Sequence, residues 1–516
     1  MPPGCPSGAV LPAPASPSAP AIPAATAPAA SALRSALAAP PVPTIAPAGA
    51  VTPGPAGGTP RPPAATAAPA APRAIDVKLT LTVPYWTVGE VYLGVDDQPT
   101  HLKLTPYNEV LYTGTVTLAS GSAYYYTSDG GTVRELATPR RVAGSVIDDY
   151  VLDWEGSSKR ISRPGFEKSF YLGACHTCGV SFTKGNFVGP MTTAMDDVRA
   201  IGASWVNLVP VWFVVPDYRG SELKPIYAAD FRGATGWVHA TIQDADLVTL
   251  IENAHARRLK VYLAPHVAPE NWGPGVKGKG DLEPADPDRF FASYKAFIGH
   301  YADIAQRTGV ELFSIGNELD SLTEEDLPQN ASIDKTARWR DVIASVRPRY
   351  GGLLTSSTSC ITEQRCGPTL IRFWDALDVI GFEWYVPIAT GPHQSIATMR
   401  ANAARVVDRV MRPLSERTGK PIVLTEIGWS AYPGACANTT GVGPSKGGDR
   451  MEQASCFEAV FQAIESATFI TGMQIWTWTA NLPGTTFDWV LTDAVGEIRF
   501  TIAEKEIAKW YRKIEP

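Results

Sequence analysis

The stretch Phe313-Ser314-Ile315-Gly316-Asn317-Glu318-Leu319 decides the fold. An apolar strand runs straight into an Asn-Glu pair, so a carboxylate stands where a buried segment reaches the surface. Val423-Leu424-Thr425-Glu426-Ile427-Gly428-Trp429 repeats the arrangement about a hundred residues later. A buried carboxylate without a partner is costly, so two strand-end glutamates call for a chemical reason.

Working outward, apolar strands alternate with amphipathic helices from about residue 165 to the end. Strands are expected at Phe170–Ala174, Trp205–Pro210, Lys260–Pro265, Glu311–Gly316, Gly352–Ser356, Val379–Trp384, Ile422–Glu426 and Met473–Trp478. Helical stretches separate most of them; Pro190–Ile201, for example, carries Met191, Met195, Val198 and Ile201 on one face. Eight such units predict an α/β fold, a closed (β/α)8 (TIM) barrel, rather than an open sheet. In that architecture the active site lies at the carboxyl ends of the strands. Glu318 and Glu426 occupy those ends, after the fourth and seventh strands.

Cleaving a glycosidic bond with retention requires two carboxyl groups, one protonated to help the leaving oxygen depart and one ionised to attack. Repulsion, burial and hydrogen bonding between two facing carboxyls split their pKa values and create those roles. Asn317-Glu318 after strand four and Glu426 after strand seven resemble the signature of the large clan of retaining barrel glycosidases, clan A. Further stretches, "NLVPVWF", "LAPHVAPENW", "FFASYKAFIGHYADIAQRTGVELFSIGNEL" and "LTEIGWS", resemble the glycoside hydrolase family 113 type of β-mannanase. The resemblance covers about residues 165 to 515.

It implies that Glu318 is the acid/base and Glu426 the nucleophile. Asn317 resembles the residue that hydrogen-bonds the sugar 2-hydroxyl, and Tyr385 the tyrosine that orients the nucleophile. Trp476 or Trp478, on the eighth strand, resembles the platform beneath the sugar at the cleaved position. With period two the two rings are expected on one face. His266, closing the third strand, is expected to contact a sugar hydroxyl. Trp212, Trp272, Glu383 and Trp384 are expected to line the cleft, Glu383 being a third acidic residue open to confusion with the nucleophile. No HExxH metal motif or Ser-His-Asp arrangement occurs, and this chemistry needs neither metal nor cofactor.

Ahead of the barrel, residues 1–75 are Ala/Pro-rich and almost uncharged, and are expected to be a disordered tail or linker. Residues 76–155 read as short strands, opening with the alternating Val77-Lys78-Leu79-Thr80-Leu81-Thr82-Val83, and predict a small β-sandwich. "LKLTPYNEVLYTGTVTLASGSAYYY" loosely resembles the starch-binding type of carbohydrate module. That likeness makes Tyr85, Trp86, Tyr124 and Tyr126 candidates for stacking on sugar, with core packing as the alternative. The catalytic barrel is expected over 165–516.

A net charge of −6 leaves no basic footprint for nucleic acid, and there is no apolar run of membrane-spanning length. Among seven cysteines, Cys360/Cys366 and Cys436/Cys456 fall as local pairs that favour disulfides and an oxidising compartment. Cys175 and Cys178 read as a small disulfide or two free thiols. The start lacks a recognisable signal peptide, yet the tail, the cysteine pairs and the enzyme type favour a secreted or cell-surface monomer. Gly273–Gly280 nearly satisfies a phosphate-loop spacing but lacks the following Ser or Thr, and is expected to be a flexible loop over the cleft.

The expected activity is endo-cleavage of β-1,4-mannan-type polysaccharide by double displacement. Cellulase, xylanase, β-1,3-glucanase or transglycosylase activity is the nearest rival, and a non-catalytic carbohydrate-binding protein is the rival of another class.

Overall fold

Eight parallel strands close into a barrel in sequence order. They are β1 Glu167–Gly173, β2 Trp205–Leu208, β3 Lys260–Leu263, β4 Leu312–Asn317, β5 Leu353–Cys360, β6 Ile380–Trp384, β7 Ile422–Ile427 and β8 Ile470–Thr479. A computed structural model of the chain describes residues 73–157, 159–173, 187–227, 240–271, 277–439, 448–480 and 497–515. Trp272, Cys5, Cys175, Cys178 and the tail up to residue 72 lie outside the described residues.

Each expected strand is present. The outer layer includes α1 Val188–Ala200, α2 Asp244–Ala256, α3 Pro287–Thr308, α4 Lys335–Val346, α5 Ile396–Val406, α6 Arg450–Ile464 and α7 Ile502–Lys513. The apolar stripes follow the sequence pattern, with Met191, Met195 and Val198 of α1 all buried. Helix α3 is bounded by side-chain chemistry. Asp286 accepts a hydrogen bond from the Arg289 N–H at its start, and Gly309 adopts a left-handed φ of 74° at its end.

Strands two and three are shorter than expected because the chain leaves the barrel after Leu208 and Leu263. It enters a rim sheet in which Val211–Val215 pairs parallel to His266–Pro269 and antiparallel to Glu222–Lys224. Trp212 and His266 therefore belong to the rim, beyond the barrel strands. The pairs Cys360–Cys366 and Cys436–Cys456 are disulfide-bonded.

Two sheets precede the barrel. One has the order Thr105–Pro106, Leu111–Ala119, Ala74–Thr82, Val146–Tyr150; the other contains Gln98–Lys103, Tyr92–Val95, Ala123–Ser128 and Val133–Arg134. Alternation in the first long strand sends Val77, Leu79 and Leu81 into their shared core with Leu93, Tyr126 and Trp154. These sheets and the barrel form one compact unit, Ala70–Pro516.

The sandwich aromatics are consumed inside that unit. Tyr124 and Tyr126 are buried, and both hydroxyls donate to Asp149. Tyr85 stacks on Trp510 of α7 and donates to Glu465. Their ring faces are committed to packing, so these three tyrosines are not free platforms for a sugar. Near Tyr85, the Lys509 ammonium of α7 has four oxygens within hydrogen-bonding distance, Thr82 Oγ1 (3.1 Å), Val83 O (2.9 Å), Glu458 Oε2 (3.2 Å) and Glu506 Oε2 (3.0 Å), for its three hydrogens. The joint between the two parts is thus a buried charge cluster surrounded by aromatic rings.

Candidate active site

The register of the barrel places the acidic residues before any side chain is considered. Ser359 of β5 pairs with Glu383 of β6, and Glu383 pairs with Glu426 of β7. Three polar side chains therefore stand in one cross-strand row at the carboxyl ends of the barrel. Gly381, two residues before Glu383, permits this close approach, since a Cβ there would meet Ser356 O at 2.2 Å. Glu318 follows β4 directly. Its N–H donates to Ser357 O at 3.0 Å, and its φ of 49° turns the chain out of the strand into the helical turn Asp320–Thr323.

The side chains then define the electrostatics. Tyr385 donates its hydroxyl to Glu426 Oε1. Lys279 forms an ion pair with Glu318 Oε2 and lies 3.2 Å from His266 Nδ1. Ser359 Oγ lies 3.2 Å from Glu318 Oε1 and 3.0 Å from Glu383 Oε2. Burial opposes ionisation of Glu318, but the Lys279 ammonium and the side-chain hydrogen bonds to the carboxyl together outweigh it and hold this carboxyl below its ordinary value. Burial, followed by the charge of Glu318, pushes Glu426 up to about 7. Glu383 is fully buried, and burial plus the charges of Glu318 and Glu426 raise it well above the ordinary range. The three carboxyls are thus driven apart in proton affinity, the pattern expected where acid–base chemistry is performed.

Asn317, expected at the sugar 2-hydroxyl, is buried, and its Nδ2 has no partner among the described residues. A buried amide donor without a protein acceptor thus stands directly beside the strand-end carboxyl of Glu318. Trp476 packs against Tyr171 with ring centroids 4.3 Å apart.

Trp476 and Trp478 do not share a face. A register shift between Phe170 and Leu172 breaks the alternation along β8, and Trp478 goes into the core against Phe170. Trp384 is likewise fully buried, donating Nε1–H to Val386 O, and so does not line the cleft. Trp212 packs on α3 against Phe297, His300 and Tyr301, which commits its ring to the helix layer.

Lys279 and Ser359 were not singled out from sequence. Of Gly273–Gly280, expected to be a flexible loop, the described residues 277–280 lead into the 3₁₀ turn Lys279–Asp281, and two side chains pin the next carbonyl, Leu282 O: Ser321 Oγ at 2.7 Å and Asn330 Nδ2 at 2.8 Å. A signal was present. A glycine-rich segment after the third strand necessarily overlies the barrel mouth, and a lysine on it is the nearest cation for carboxylates gathered there.

A closed (β/α)8 barrel with three interacting carboxyls at the ends of β4, β6 and β7 fits a glycoside hydrolase, and the family match shows that class. The sequence model of Glycoside Hydrolase Family 113 matches residues 228–490, and the chain belongs to that family. Among solved structures it is similar to the family 113 β-mannanase AaManA from Alicyclobacillus acidocaldarius in complex with ManMIm. The identity is 24% and the TM-score 0.52, over 68% of this chain and 98% of that one. A complex structure of a family 113 β-1,4-mannanase matches at 24% identity and TM-score 0.51, over 67% and 99% of the two chains. No curated protein matches the sequence. These structural likenesses show the fold.

Proposed function

We propose that the protein is a retaining, endo-acting β-1,4-mannanase, with Glu426 as nucleophile and Glu318 as acid/base. Glu426 attacks the anomeric carbon while Glu318 gives a proton to the departing glycosidic oxygen. Glu318 then takes a proton from the water that releases the sugar from Glu426. Tyr385 orients Glu426, and Asn317 and His266 receive sugar hydroxyls. Trp476 supplies the aromatic floor, leaving Trp478 and Trp384 to the core. The observation that carries the reading is the placement of Glu318 and Glu426 at the ends of β4 and β7, close enough for the charge of Glu318 to disfavour ionisation of Glu426. The mannan assignment is supported by the family and by the two mannanases named above.

In the same reading the tail and sandwich precede a catalytic barrel over 165–516, and the enzyme is exported to meet a polymeric substrate. No helix among the described residues is long and apolar enough to cross a membrane.

One observation favours a second reading with the roles exchanged: Lys279 keeps Glu318 ionised, and Glu426 is the group raised to about 7. A chemical rescue separates the two. Glu426→Ala should abolish release of reducing sugar from mannan, and added azide should restore turnover with an inverted glycosyl azide as product. A retained glycosyl azide from Glu426→Ala would assign the nucleophile to Glu318 instead. Release from cellulose or xylan but not mannan would overturn the substrate, and no release from any polysaccharide would favour a binding protein.

A further inference from the structure

Lys279 leaves a question in the mechanism. An acid/base paired with an ammonium is ionised in the free enzyme, so the proton it must deliver is held elsewhere. Glu383 is the group placed to hold it. Its side chain is fully buried on β6, in register with Ser359 on one side and Glu426 on the other.

The hydrogen count at Ser359 makes the argument. Its hydroxyl lies within hydrogen-bonding distance of both Glu318 and Glu383, yet a serine has one hydrogen to donate. It donates to one carboxyl and accepts from the other, and only a protonated carboxyl can donate. Glu318 has its charge matched by Lys279. Glu383 has no ion pair among the described residues, and its Oε1 finds no donor there. As a carboxylate it would bury a charge with one oxygen unsatisfied, which is costly; as a carboxylic acid it satisfies Ser359.

The groups facing it act in the same direction on balance. Glu318 beyond β4, Glu426 on β7 and Asp320 in the following turn disfavour its ionisation, and Lys279 opposes them. Tyr262 on β3 and Tyr385 after β6, both within reach of the charge of Glu383, are phenols raised by burial and stay neutral.

We propose that Glu383 is a positioning residue that holds, as a neutral acid, the proton Glu318 delivers, and passes it through the Ser359 hydroxyl. The proposal rests on Glu318 being the acid/base. In the transfer, the Glu383 O–H bond breaks as its proton moves to Ser359 Oγ, and the Ser359 O–H bond breaks as that proton moves to Glu318 Oε1. Glu383 ends as a carboxylate and Glu318 as a carboxylic acid, with Ser359 and the net charge unchanged. Glu318 then protonates the leaving oxygen. When Glu318 later takes a proton from water, the reverse transfer restores Glu383.

The test is Glu383→Gln in the full chain. It keeps the shape and a hydrogen-bond donor to Ser359 but has no proton to give. The pH dependence of kcat/KM is measured on a β-1,4-manno-oligosaccharide and on a dinitrophenyl β-mannoside, whose leaving group needs no acid. On the oligosaccharide the alkaline limb should move down by about one pH unit, with at least a ~10-fold loss at the optimum. The loss on the aryl mannoside should be smaller by about an order of magnitude. Ser359→Ala should move the same limb in the same direction. An unmoved limb in Glu383→Gln, or equal losses on both substrates, overturns the proposal. Should Glu383→Gln fail to fold by thermal melting, an unmoved limb in Ser359→Ala overturns it alone. Failure of the underlying reading is separable: Glu318→Ala would then slow both substrates alike.

Discussion

Replacing Lys279 by methionine removes one charge from the centre of the site and keeps most of the volume. The ammonium contacts Glu318 Oε2 and acts at longer range on Glu383 and Glu426. Two unit charges about 4 Å apart at an effective dielectric of about 20 interact by ~4 kcal/mol, equivalent to roughly three pH units. Both side chains are about a quarter exposed, 23% for Lys279 and 25% for Glu318. Solvent screening therefore reduces the expected shift to about one unit. The sign follows from linkage. Lys279 stabilises the ionised form of Glu318, so its loss strengthens proton binding and moves the alkaline limb of kcat/KM upward, opposite to Glu383→Gln. The assay is the same pair of oligosaccharide and aryl substrates across pH, with Lys279→Arg as a charge-retaining control. A Lys279→Met limb within about 0.3 unit of the parent, or displaced downward, would refute the reasoning.

Two further outcomes concern stability. Glu167 of β1 is buried beneath the barrel with Gln474 Nε2 3.2 Å from its Oε2, and burial pushes its carboxyl up to about 8 from an ordinary 4.5. Its proton is retained on folding and released on unfolding at intermediate pH, so its contribution is fully present at acid pH and is lost as pH rises through 8. Glu167→Gln should therefore melt above the parent at about pH 9, by a few kcal/mol at most, and show no such gain near about pH 4; parallel melting curves across pH would contradict this. Lys509→Met strands Glu458 and Glu506 without their cation and should cost about 3–5 kcal/mol in urea unfolding; a loss below about 1 kcal/mol would mean the cluster is not what holds the joint.

The barrel was legible because its strands are buried on both faces and appear as near-continuous apolar runs. The paired glutamates could be read because strand order is also spatial order in a closed barrel, which ties position in sequence to position around the mouth. What escaped was whatever depends on long-range approach or local register. Lys279 reaches Glu318 from a glycine-rich segment with no periodicity of its own. Ser359 becomes a bridge only because β5 and β6 pair in one register out of several available. The separation of Trp476 from Trp478 needs a shift that strict alternation does not anticipate. The tyrosines of the sandwich matched a sugar platform in composition, and only their burial reveals their use in packing.

The joint around Lys509 bears on how freely the parts of this chain can be recombined. Accessory sheets attached by a flexible tether can be cut away or exchanged, leaving a working catalytic unit. Here the first long strand of the sandwich supplies Thr82 and Val83 O to an ammonium on the barrel's last helix, and Tyr85 covers Trp510 beside it. Deleting the sandwich would take Thr82 and Val83 O from Lys509, the Thr82 hydroxyl from Glu506, and the covering Tyr85 ring from Trp510. A shortened enzyme would have to be re-sealed at that surface, so the boundary that looks like a domain border in the sequence is a poor place to divide the protein.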